Sequence, residues 1–360
     1  MQQLRFGSGE LGSALARRWA QAGCPVIIGS RSADRAIEAA AQIGQQVRGA
    51  ENIEAAKAAE VIVVAVPYSN HAQILEAIKP TASGKSSMSS VRTTQNLKEY
   101  VMTGLAFRTQ GRIASIVLDR PNEQNLLSRD LLLEMRTIAK DLASDPEIQV
   151  LTLTGEGTEC FSTGILTPAL RGQLAKDQVL NLIGLANETF DAIEALPQIV
   201  IAGLNGYIRA GAVELALACD IRIAGNHVRL SSPEAKWGGF PGAGAPVRLP
   251  NIVGTARTLE LLCTGREIDA TELERYGLVE RVVPRDDVHA EMHTLAEVIA
   301  GNGPLATRGT KRIVKLREAA GSRAARELSD ALRSALEFSH DVDEGITAAR
   351  ERRKPQFTGR

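Results

Sequence analysis

Three hundred and sixty residues are too many for one ordinary domain and suit two. Apolar residues make up 44% and charged residues 23%, the balance of a packed globular chain rather than a disordered one. Forty-two Lys and Arg against 42 Asp and Glu, with only 4% aromatics, exclude the basic footprint of a nucleic-acid binder and the stacking platform of a single-strand binder.

In chain order, residues 4–6 read as a short strand and residues 11–22, rich in Ala, Leu and Arg, as a helix. Residues 25–29 (PVIIG) are a β-branched strand and 33–43 a second helix, and 61–66 (VIVVAV) is a fully apolar strand of the kind buried in a parallel sheet. This β-α-β-α-β order implies parallel strands joined by right-handed crossovers. Residues 83–94 are polar, short-chained and nearly free of apolar periodicity, which reads as a linker. Strand and helix signals then alternate again: strand 112–118, helix 128–144, strand 150–154, helix 176–196, strand 199–202 and helix 213–218. The tail from 305 to 353 is charged and largely helical. The expected domains are a Rossmann-like segment at 1–82, a flexible linker at 83–98, an α/β core at 99–304 and a helical C-terminal region at 305–360.

No apolar run approaches the roughly 20 residues of a membrane-spanning helix, and MQQLRFGSG carries no apolar signal segment. The expected compartment is the cytoplasm, with no membrane or nucleic-acid partner. Cys24, Cys160, Cys219 and Cys263 lie far apart without a CxxC pair, which reads as buried thiols rather than a disulfide or metal framework. His289 and His293 would share one helix face, but no third ligand is evident, so no metal is expected.

Gly7-Ser8-Gly9-Glu10-Leu11-Gly12 is a GxGxxG between a strand and a helix, the pattern that lets backbone amides approach a pyrophosphate. The second strand ends Gly29-Ser30-Arg31, without the acidic residue that holds an NAD ribose; serine and arginine suit a 2′-phosphate. Gly7, Gly9, Gly12, Ser30 and Arg31 are therefore candidate NADP ligands. With Ala50-Glu51-Asn52-Ile53-Glu54-Ala55-Ala56 and residues 61–68, this stretch resembles the front of deazaflavin-dependent NADP oxidoreductases over about 80 residues. The second half of that family's sheet and its deazaflavin pocket have no counterpart here. The segment thus reads as a partial Rossmann-like fold: a remnant or docking module, an NADP site, or part of a reductase.

Two glutamates, Glu214 and Glu234, stand 20 residues apart. Glu214 lies near the start of an apolar helix, where burial is costly unless the carboxyl is hydrogen-bonded or functional. Glu234 follows Pro233 after the apparent strand at 228–230, ahead of a glycine-rich loop. Two carboxyls meeting in one pocket divide acid and base work; the bland alternative is a helix-dipole carboxylate and an unrelated loop glutamate.

Residues 99–360 resemble the crotonase (enoyl-CoA hydratase/isomerase) superfamily. The resemblance is carried in order by Ile116-Val117-Leu118-Asp119-Arg120-Pro121, residues 145–155, Phe161-Ser162-Thr163-Gly164, Asn205-Gly206-Tyr207, residues 214–220, Pro233-Glu234, Pro241-Gly242-Ala243-Gly244, Leu262-Cys263-Thr264-Gly265, Tyr276-Gly277-Leu278-Val279 and residues 353–360. It implies an α/β spiral of β-β-α units with a helical C-terminal trimerisation region, and a homotrimer or hexamer. The implied substrate is an acyl-CoA, as in fatty acid metabolism, and the implied reaction is that of an enoyl-CoA hydratase, a lyase needing no cofactor. An oxyanion hole would come from the amides of Ile165 and Gly211. Glu214 would orient or activate water and Glu234 would exchange a proton at C2, while Gly164, Trp237 and Gly242 would shape the pocket. The chain departs from the family pattern at Ile165-Leu166 (usually Ala-Asp), at Ala210 and Ala212 flanking Gly211 (usually all glycine), and at Arg209 (usually apolar). These changes bear on substrate identity more than on reaction class. The alternatives are a Δ3-Δ2 enoyl-CoA isomerase, a β-dicarbonyl C–C hydrolase, an NADPH-linked oxidoreductase using both segments, and a non-catalytic scaffold.

Overall fold

β-Branched runs set the strands, and small residues set how closely the helices approach them. The computed structural model describes residues 4–7, 16, 20, 26–30, 32–44, 47–58, 61–64, 86–89, 99–102 and 104–360. Within it the chain divides into two units between Gln110 and Gly111.

In the first unit, β1 (Leu4–Gly7), β2 (Val26–Ser30), β3 (Val47–Glu51), β4 (Val61–Val64) and β5 (Ser86–Ser89) are all parallel. Their order is β3-β2-β1-β4-β5, the arrangement of a doubly wound nucleotide-binding sheet that reverses direction beside β1. β6 (Glu99–Met102) and β7 (Leu105–Gln110) extend it antiparallel. The three expected strands and the second expected helix are present, and the sheet continues further than the sequence suggested. Ser86–Ser89, inside the stretch expected to be a linker, pairs with β4 in register from Val61↔Ser86 to Val64↔Ser89; ladder bonds use backbone groups, so serine's composition does not forbid them. Helix α1 (Ala33–Ala41) packs its Ala36 and Ala40 against Val26, Ile28 and Val47. β3 was not legible as a strand, because VRGAE buries only Val47. Its Gly49 admits α1: a Cβ there would lie 2.3 Å from the Ala36 backbone. Helix α2 (Asn52–Ala58) follows. The helix expected at 11–22 lies mostly outside the described residues, of which Ala16 and Ala20 are helical.

The second unit alternates between two sheets. β8 (Ile113–Leu118), β9 (Val150–Gly155), β11 (Ile199–Leu204), β13 (Ile221–Gly225) and β16 (Arg281–Val283) run parallel in the order β8-β9-β11-β13-β16. β10 (Cys160–Ser162), β12 (Tyr207–Arg209) and β14 (Arg229–Ser231) are parallel in a smaller sheet, closed by antiparallel β15 (Glu267–Asp269). β9, β11 and β13 are each followed by a short strand in the other sheet, the β-β-α spiral. Helix α3 (Arg129–Ala143), capped by the Ser128 hydroxyl, packs against α5 (Lys176–Glu194), and the short α4 (Pro168–Gln173) precedes α5. Helices α6 (Gly211–Leu217), α7 (Ala245–Val253), α8 (Thr255–Thr264) and α9 (Ala270–Arg275) follow. Met292 and Ala296 of α10 (Val288–Ala300) cover the large sheet at Val150, Ile201 and Ile223. The C-terminal region is helical as expected: α11 (Pro304–Glu337) breaks at Gly321, where φ is 85° and ψ 175°, and α12 (His340–Glu351) follows. Among the described residues no helix is long and apolar enough to cross a membrane, and no group of three or more His, Cys, Asp and Glu could hold a metal.

Candidate active site

The crossings between the two sheets build the site's frame. Asn205, 1% exposed, donates from Nδ2 to the carbonyls of Gly155 (2.7 Å) and Gly157 (2.6 Å) and accepts from the Gly155 amide (3.1 Å). A Cβ at Gly206 would lie 2.3 Å from the Glu159 backbone, so the Asn-Gly step is what lets β11 turn into β12 against the β9–β10 loop. The loop after β10 is thereby pressed onto the start of α6.

Gly164 has φ +86°, and a Cβ there would sit 2.6 Å from the Gly211 nitrogen. A Cβ at Gly211 would in turn sit 3.1 Å from the Ile165 nitrogen and 2.6 Å from the Ile165 side chain. Gly164, Ile165 and Gly211 thus meet. Gly211 opens α6, where first-turn amides lack intrahelical acceptors. Ala210 before it has φ 53° and ψ −126°, a conformation of the first central residue of a type II′ turn that normally belongs to glycine. The methyl group at this place is therefore strained, which only a tightly determined surrounding sustains.

Glu214 is 2% exposed. Its Oε1 accepts from the amides of Ala243 (2.7 Å) and Ala245 (3.1 Å). Burial raises its carboxyl to about 7, with those two bonds opposing and the Glu234 charge adding to the rise. Glu234 opens a 3-10 turn, Glu234–Trp237; burial raises its carboxyl too, while the Arg209 charge pulls it down. Its Oε2 is buried without a hydrogen-bond partner among the described residues, as is the Ser232 hydroxyl two residues earlier. Two carboxyls beside the loop amide of Ile165 and the first-turn amide of Gly211 can hold water and stabilise a developing oxyanion.

Sequence reasoning missed the brace behind this loop. Arg248, buried, donates to Glu194 (2.7 Å), Asp191 (2.5 Å) and the Ala243 carbonyl (3.1 Å), so it fixes the segment whose amides hold Glu214. Asn187 donates to the Gly242 carbonyl (2.9 Å), and a Cβ at Gly242 would press on Ile183 at 3.1 Å. No contiguous motif signals these contacts; Asp191 and Glu194 at i, i+3 on α5 were the nearest clue. Trp237 is 43% exposed and carries Arg209 over its ring at 4.8 Å.

In the first unit, Gly7 ends β1 in register with Gly29, and Ser30 ends β2 with its hydroxyl accepting from Ser32 N (3.4 Å). Gly9, Gly12 and Arg31 lie outside the described residues. His289 and His293 are both exposed on α10. Glu134 on α3 is also raised to about 7, by burial and by Asp130, yet no second raised carboxyl acts on it, so a shifted carboxyl alone does not mark a site.

Residues 108–360 match the family model described as enoyl-CoA hydratase/isomerase, and residues 6–91 that of NADP oxidoreductase, coenzyme F420-dependent. The chain is 34% identical to crotonyl-CoA hydratase of Syntrophomonas wolfei over 248 residues, covering 68% of this chain and 94% of that protein. It is 36% identical to carnitinyl-CoA dehydratase of Citrobacter koseri over 265 residues, covering 71% and 98%. A crystal structure of enoyl-CoA hydratase from Bacillus anthracis aligns with TM-score 0.68 at 33% identity, covering 74% of this chain and 100% of that one.

Proposed function

We propose a mechanism for this chain, which belongs to the enoyl-CoA hydratase/isomerase family and is a hydro-lyase adding water reversibly to 2,3-unsaturated acyl-CoA thioesters. The thioester oxygen lies between the amides of Ile165 and Gly211, which stabilise it as it takes up enolate charge; such preorganised donors typically contribute about 3–4 kcal/mol each. One water sits between Glu214 and Glu234. Glu214 as carboxylate takes a proton from that water as the hydroxyl oxygen bonds to C3, and Glu234 as carboxylic acid gives a proton to C2. Exchange with solvent resets the pair, so the net change is one water added. No oxidation state changes overall, and hydration requires no cofactor.

The observation that carries this reading is Glu214: buried, held by two amides, raised to about 7, beside a second raised carboxyl. A carboxyl near 7 is part-protonated at neutral pH, and burial shifts its neighbour in the same direction, which suits acid and base work. Incubation with crotonyl-CoA should yield a product heavier by one water; unchanged crotonyl-CoA in the presence of folded protein would contradict the reading.

The assembly we propose is a homotrimer or a hexamer made of two trimers, acting in the cytoplasm. Phe338, 91% exposed, and half-exposed Val314 lie on or beside α11. A cavity of about 1260 Å³ there is lined by Leu316, Leu328, Leu332 and Leu336. Apolar surface of this kind supports burial against another subunit. In the first unit, the strand order reversing beside β1 and Gly7 at its end support NADP binding at a site that, besides Gly7 and Ser30, would take Gly9, Gly12 and Arg31.

A further inference from the structure

Among the described residues two arginines are buried, and every side-chain nitrogen of both donates a hydrogen bond. Arg222 donates to the carbonyls of Cys219 and Leu278 and to Glu280, and Arg248 to Glu194, Asp191 and Ala243. Arg209 is half-buried at the end of β12, yet its guanidinium makes no hydrogen bond or ion pair with any described residue. It lies over the Trp237 ring, and Trp237 ends the turn that Glu234 begins. Its own carbonyl oxygen lies 2.7 Å from where a Cβ of Gly164 would be. The cation is therefore at the reacting end of the pocket, within electrostatic reach of Glu234.

A guanidinium lying over a ring keeps its N–H edges free, and those edges match a planar carboxylate bidentately. CoA's own phosphates do not fit this position, because the pantetheine arm separates them from the thioester carbon. An anion on the acyl chain does. Placed near Glu214 and Glu234, a third carboxylate would be repelled without a compensating cation, and a positively charged acyl group would be repelled by Arg209 itself. We propose that Arg209 selects acyl chains bearing a carboxylate, so that the preferred substrate is an unsaturated dicarboxylic acid held as its monothioester. The inference rests on the hydratase reading for where the acyl chain lies.

The test measures dissociation constants of the full chain for glutaryl-CoA and butyryl-CoA by calorimetry, in the wild type, Arg209→Leu and Arg209→Gln, with circular dichroism to verify folding. The wild type should bind glutaryl-CoA more tightly, and each substitution should cut the glutaryl-over-butyryl preference by about 10- to 100-fold, the scale of a charge-assisted hydrogen bond. A wild type without preference, or a preference that survives both substitutions, overturns the proposal. Turnover of crotonyl-CoA by the wild type tests the hydratase reading separately, since the binding comparison involves no reaction.

Discussion

Glu214 trades stability for reactivity, and pH exposes the trade. Its carboxyl titrates near 7 in the folded protein against 4.5 as the ordinary value. A raised carboxyl means that the folded state keeps a proton the unfolded state has already lost. The stabilisation is fully present below about pH 4.5 and is lost as pH rises to about 7; the shift is worth about 3 kcal/mol. Glu214→Gln cannot ionise, so it should be more stable than the wild type by up to about 3 kcal/mol at pH 8 and nearly equal to it at pH 4.5. Urea denaturation at the two pH values measures this, and an identical difference at both would count against the burial argument. The glutamates themselves were legible from their motif and spacing. Their anchors were not: the amides of Ala243 and Ala245 carry no side-chain identity, and Arg248 reaches Glu194 and Asp191 across 54 and 57 residues of sequence.

Among elements, apolar runs were the easiest to read. Val150–Gly155 is buried at every position, and its strand was expected from composition alone. Val47–Glu51 and Ser86–Ser89 lack such a run, and their pairing comes from neighbours that supply the ladder. One buried contact between helix α11 and the core was not revealed by the sequence. Lys311 donates to Asp220 (2.6 Å) and to the Gln198 carbonyl (2.8 Å), and Asp220 also accepts from the Val200 amide (2.8 Å). Both side chains are largely buried, at 7% and 13% exposure. Removing one partner strands the other's charge, so Lys311→Met should cost about 3–5 kcal/mol. Adding Asp220→Asn should recover part of that loss, because the stranded carboxylate is gone. Thermal melts of the single and double variants measure it; additive losses would mean that the pair is not coupled.

At the scale of the whole molecule, one chain carries two units that match different family models, and the proposed site lies in the second. The exposed apolar residues of α11 lead us to expect a trimeric or hexameric mass by light scattering; a monomer would contradict the proposed assembly. The central claim is that two carboxyl groups, one ionised and one protonated, hold one water. Its most direct test is kcat for crotonyl-CoA hydration in Glu214→Gln, Glu234→Gln and the double variant, each verified to be folded and to bind CoA. Acid–base groups typically contribute about 10²- to 10⁴-fold, so each single variant should lose at least about two orders of magnitude. The double variant should lose far less than the product of the two, because both act on the same water. A Glu214→Gln variant that keeps nearly full turnover while Glu234→Gln abolishes it would contradict the account, since one carboxylate would then suffice.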